Sequence, residues 1–183
     1  MARLGRNGLV IAAGGLLAFI VSFFPWYGYS GSGASELKAM GVKTSVNAWD
    51  AGFAAWFSVL LLLALAVVGV LAAQGIVKWA PLLLGFVEAA GGLLAAVLVL
   101  LRWLTYDTAS GIGGSVGAMW GTYVALVIAI AVAVFGYLDF VAKGGDIKNI
   151  GAVFQGGGQG NQGGGGDQYG QGGGGQWGPP SGQ

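Results

Sequence analysis

Four runs of apolar residues, Gly8 to Phe24, Ala54 to Ala73, Leu82 to Trp103 and Thr122 to Val141, limit the folds open to this chain more than any other feature. Each is about 17 to 22 residues long, and a helix rising about 1.5 Å per residue needs about 20 to cross a bilayer's hydrocarbon core. Pro25 follows the first run and Pro81 opens the third, positions where proline ends or starts a helix at little cost. The expected fold is therefore all-α: a four-helix transmembrane bundle over residues 1–146, with an outer loop over 25–53.

Composition agrees, with 55% of the residues hydrophobic and 8% charged, the profile of an integral membrane protein. The net charge of +1 provides no basic field for nucleic acid. With no Cys and no His, disulfides, thiolate zinc sites and histidine acid–base chemistry are excluded, and the carboxylates are scattered. No enzymatic centre, cofactor or metal site is expected. MARLGRN before the first run has the charge of a signal peptide's start, but the run is longer than a usual signal core, so an uncleaved first helix is expected.

Lys and Arg near the helix ends set orientation. With the N-terminus inside, Arg3, Arg6, Lys78, Lys143 and Lys148 are cytoplasmic, and Lys38, Lys43 and Arg102 are outside. Both termini are then cytoplasmic, at the plasma membrane. Trp26, Tyr27, Trp49, Trp56, Trp103 and Trp120 all fall at the outer level. They are expected to form an interfacial belt, or an aromatic cap that packs with the first loop and takes lipid or a partner protein. Within that loop, Ser35 to Met40 suits a helical turn and VKTSV a short strand. Arg102 is expected to pair with Asp50 or Asp107 at the interface.

Glu88 stands out as the ionisable side chain in the interior of these runs, within PLLLGFVEAAGGLLAAVLVLLRW. Charged groups at membrane depth are costly and mark functional sites by default. Small residues form seams on every helix: Gly14, Ala18 and Ser22; Gly69 and Ala73; Gly85, Gly92 and Ala95; Ala125, Ala129 and Ala133. Glu88 lies on the third seam and so should face protein. Its expected neighbour by depth is Tyr137, since the two side chains lean toward each other on antiparallel helices, and the expected state is a neutral, hydrogen-bonded carboxyl. A proton-titrating role in a transporter subunit would need a polar path, and the helices supply only Ser22, Ser58 and Tyr137.

Beyond Asp146 the sequence turns to glycine and glutamine, a composition that cannot bury enough apolar surface to offset chain entropy. Disorder is expected, with Phe154, Tyr169 and Trp177 as spaced aromatic stickers for weak self-association or a partner. No GKS or GKT follows the glycine runs, so they are not nucleotide loops.

Taken together, FFPWYGY, NAWDAGFAAW, the four Ala/Gly/Leu/Val helices and the Gly/Gln-rich tail resemble small four-helix membrane proteins of actinobacteria. The layout is also similar to claudin-type tetraspan proteins, without the cysteine pair of their first outer loop. The resemblance implies an envelope protein and brings no catalytic residues. The tail, the aromatic outer end and the lack of a polar cluster at one depth lead to the expectation of a non-enzymatic structural, scaffold or interaction component of the cell envelope, whose partners are the lipid bilayer and other membrane proteins or its own copies. The alternative is an accessory subunit of a transporter or membrane enzyme, with Glu88 as its titrating site.

Overall fold

The computed structural model describes residues 5–106, 110–111, 114–149 and 151. Its frame is helical: α1 (Arg6–Val21), α3 (Phe53–Ala73), α4 (Pro81–Thr105) and α5 (Trp120–Ala142), with a short α2 (Gly33–Ala39) between α1 and α3. The helices begin and end within three residues of the expected boundaries. Three of them, α3, α4 and α5, are long and apolar enough to cross a membrane. The fourth expected span falls short. α1 has 16 residues, or about 24 Å of rise, because the Phe-Phe-Pro sequence turns the chain after Val21.

Helix ends have local causes. Pro81 opens α4, where its missing N–H costs nothing. Gly75 (φ 76°) and Gly144 (φ 87°) adopt the left-handed conformation just past α3 and α5. Behind each, paired amide bonds return to the last turn: Gly75 to Ala72 and Ile76 to Leu71, then Gly144 to Val141 and Gly145 to Phe140. A side chain at either glycine would strain the turn.

The helices pack in a cycle: α1 against α3 and α5, α3 against α4, and α4 against α5. Backbones approach closely at glycine. A Cβ added at Gly92 would lie 2.5 Å from the Ala133 amide nitrogen, and one at Gly136 would lie 2.6 Å from the Ala89 amide nitrogen. Gly15 does the same for α1 on α3, where a Cβ would stand 2.5 Å from that of Ala66. The expected seam residues Gly85 and Gly92 are interface positions; Gly15 and Gly136 are further ones that the every-fourth-residue reading passed over. Ile11, Leu62, Leu65, Ala95, Ile128 and Val132 fill the space between the helices.

The all-α expectation needs a correction at one end. The two long connections there form a four-stranded antiparallel sheet of β1 (Tyr27–Gly31), β2 (Ser45–Val46), β3 (Ser110–Gly111) and β4 (Gly114–Ala118), in the order β2-β1-β4-β3. β1 pairs with β4 from Tyr27 opposite Ala118 to Gly31 opposite Gly114. The strands read YGYSG and GSVGA, glycine- and serine-rich segments that score as loops on their own. Pairing between connections far apart in sequence makes them strands. The helical turn expected over Ser35 to Met40 is α2, and VKTSV contains β2. Past α5, a single 3₁₀ turn spans Ile147–Asn149. The tail stickers Phe154, Tyr169 and Trp177, and the disorder expected around them, lie outside the described residues.

Candidate functional site

Trp26 is the centre of the sheet end. It is fully buried, and its indole N–H donates to the Val21 carbonyl at 3.1 Å, at the last turn of α1, where the Phe24 amide is a second donor at 3.1 Å. Its own backbone amide donates to Val46 at 2.8 Å, and its carbonyl accepts from the Met119 amide at 2.7 Å and the Thr122 hydroxyl at 2.6 Å. One residue thus joins α1, β2 and the start of α5. Gly121 leaves space for the ring, since a Cβ there would come within 2.7 Å of the indole.

Tyr27 is also buried and stacks on Tyr106 with ring centroids 3.8 Å apart. Its hydroxyl is buried without a hydrogen bond of good geometry; the neighbouring Thr122 hydroxyl directs its proton to the Trp26 carbonyl instead. Burial pushes the Tyr27 phenol above its ordinary value, with Thr122 and Arg102 pulling the other way. Arg102 sits 4.6 Å over the Tyr106 ring and donates through Nε to the Ala51 carbonyl. The expected Arg102 pair with Asp50 is therefore corrected: Asp50 binds Lys43 at 2.7 Å, and the guanidinium is taken by a ring and a carbonyl. Asp107 lies outside the described residues.

The six residues expected to make one aromatic cap divide by role. Trp26 and Tyr27 belong to the interior and cannot touch a partner. Trp49 is half-buried and donates through its indole to the Ser22 hydroxyl at 3.1 Å, beside Phe19 and Phe23. Trp56 packs in an edge contact with Phe53, Trp103 with Tyr123, and Trp120 is tilted against Phe24. Of the six, Trp103 and Trp120 are exposed, in separate groups around the rim.

At the other end of the helices, Glu88 is 3% exposed and lines a cleft of about 270 Å³ with Gly5, Gly8, Gly69, Trp79, Asp139 and Lys143. Gly69 makes room for it: a Cβ there would stand 3.0 Å from Glu88 Oε1. Facing protein was the expected placement, and it is the observed one. The expected neighbour is corrected. Tyr137 is 42% exposed and lines an outer apolar groove with Phe86 and Leu93. Gly136 takes the interface position instead, where a Cβ would lie 2.7 Å from the Glu88 carbonyl carbon. One residue further along α5 rotates the side chain by about 100°, out of the interface. Matching depth and lean ignored that rotation.

The acidic residue near Glu88 is Asp139, which forms an ion pair with Lys143 one turn later in α5. Acid before base at this spacing, close to a helix C-terminus, suits both the pair and the helix dipole. Asp139 sits near the end of the fourth apolar run, where it reads as a boundary charge, yet α5 continues to Ala142 and carries it into the cleft. Comparison with protein-family models, with curated proteins and with solved structures gives no match.

Proposed function

We propose that this chain is a polytopic membrane protein in which α1, α3, α4 and α5 cross the plasma membrane as one four-helix bundle. Both termini are cytoplasmic and the sheet is outside. Its work is non-enzymatic: it is a structural or scaffold component of the cell envelope that presents a rigid outer cap and a sticky cytoplasmic tail. The observation that carries this reading is the locking of the sheet through Trp26, which converts two glycine-rich connections into a fixed surface rimmed by the exposed Trp103 and Trp120. Fixed aromatic surfaces suit recognition because little conformational entropy is lost on contact. A photo-crosslinking residue in place of Trp120 should yield a discrete protein adduct in membranes, whereas one in place of the exposed Leu93 on α4 should label lipid. Lipid labelling alone at both positions would remove the scaffold reading.

A second reading, an accessory subunit of a transporter or membrane enzyme with Glu88 as a proton-titrating site, is favoured by the gathering of Glu88, Asp139 and Lys143 in one cleft. Against a complete path, the Ser22 and Ser58 hydroxyls bond back to their own helix, to Phe19 at 2.6 Å and Ala55 at 2.7 Å. The apolar Leu62, Ala95 and Ile128 fill the interval. Liposomes holding the pure protein should therefore show no proton flux above empty ones. A flux abolished by Glu88→Gln would establish this second role.

A further inference from the structure

The Glu88 cleft has the composition of a receptor for one positive charge. Among the described residues, two carboxylates line it, and a single ammonium, Lys143, is committed to one of them, Asp139. Glu88 is only 3% exposed, and among the described residues no group donates a hydrogen bond to its carboxyl. The walls from the start of α1 and from α3 contribute Gly5, Gly8 and Gly69, which bring no charge, and Arg6 and Lys78 are exposed and do not line the cleft. Among the described residues, an ionised Glu88 therefore leaves one negative charge uncompensated.

The chemistry of the lining selects the kind of cation. A hard ion such as Ca²⁺ takes six to eight oxygen ligands, about twice what two carboxylates supply, and the described residues contain no metal-holding group of three acidic, His or Cys side chains. What the cleft adds to its one free carboxylate is apolar surface from Val77 and Leu84 and the indole of Trp79, itself 46% exposed. A carboxylate, an aromatic face and aliphatic walls together suit an alkylammonium group, which is weakly hydrated and is attracted to ring faces. We infer that this cleft binds a small organic ammonium ion, with Glu88 as counter-ion and Trp79 as its aromatic wall. The inference depends on neither functional reading above, because a scaffold and a transporter subunit could each hold such a site. The ammonium group comes either from a free ion or from an amine-bearing lipid headgroup.

Radiolabelled tetraethylammonium, measured against the full chain in nanodiscs of pure phosphatidylglycerol, tests it. Saturable binding of one ion per chain is expected. Glu88→Gln, close in size and uncharged, should weaken it about tenfold or more, and Trp79→Leu by about threefold. Lys143→Gln should tighten it by about threefold, since it removes the competing ammonium and frees Asp139. Glu36→Gln, in α2 at the sheet end, should change nothing. Opposite signs at Glu88 and Lys143 are not produced by a general loss of packing, and size-exclusion elution identifies a variant that fails to fold. Should Glu88→Gln be that variant, the increase in Lys143→Gln carries the test. Adding phosphatidylethanolamine separates the sources: competition assigns the site to a headgroup, and no competition assigns it to a free ion. Absence of saturable binding, equal displacement by sodium, or unchanged affinity in both Glu88→Gln and Lys143→Gln would overturn the inference.

Discussion

Trp26→Ala should release the sheet from the helices and lower stability by about 3 to 5 kcal/mol, the range for removing a large aromatic from a packed site. The side chain is fully buried, so its space cannot be refilled by a small shift of Gly121 or Thr122. The mutation also removes the indole donor to Val21, whose carbonyl keeps only the Phe24 amide at the end of α1. Trp26→Phe keeps most of the ring volume and loses the donor, so its cost should be distinctly smaller. A cysteine introduced at the fully buried Ala48, in a chain with no cysteine of its own, gives a direct readout. Maleimide should label it readily in Trp26→Ala and slowly in the parent. Equal labelling rates and an unchanged unfolding temperature in detergent would show that Trp26 does not hold the sheet.

Gly92→Leu should have a comparable or larger effect for a different reason. At this position the obstacle is backbone: a Cβ meets the Ala133 amide nitrogen at 2.5 Å and its Cα at 2.8 Å, atoms that cannot rotate aside. Even alanine should cost about 1 to 3 kcal/mol through overpacking, and leucine should hold α4 and α5 apart. In a membrane this loss is not recovered by hydrophobic contact elsewhere, since lipid solvates the separated faces as well as protein does. The neighbouring Gly91 provides the control. A Cβ there meets only the end of the Leu65 side chain, at 2.8 Å, which can adopt another rotamer. Gly91→Ala should therefore unfold close to the parent temperature, and Gly92→Leu should unfold far below it or fail to accumulate. Similar behaviour of the two would refute the backbone-contact account.

The helices were legible because their signal is local: a long apolar run marks itself, and proline at its edge marks where it stops. The sheet was not, because its strands are glycine- and serine-rich and acquire their conformation from partners such as Tyr27 with Ala118, far apart in sequence. The Trp26 and Trp49 positions were read correctly as belonging to the aromatic end, yet sequence alone could not distinguish a ring in the interior from a ring at the rim. At Glu88 the face was legible from the glycine spacing. The neighbour was not, since Gly136 and Tyr137 differ by one step of helix rotation. Asp139 had a visible signal, its place before Lys143 by one turn, which the sequence analysis did not use.

The pairing of β1 with β4 has a mechanical meaning for the whole molecule. It fastens the chain leaving α1 to the chain entering α5, so the cycle of helices is closed by hydrogen bonds at one end only. At the other end, α1 is not paired by strand to anything among the described residues, and the connection from α3 to α4 is an open turn. Glu88 and its cleft lie at the end of the helices that, among the described residues, no strand ties together.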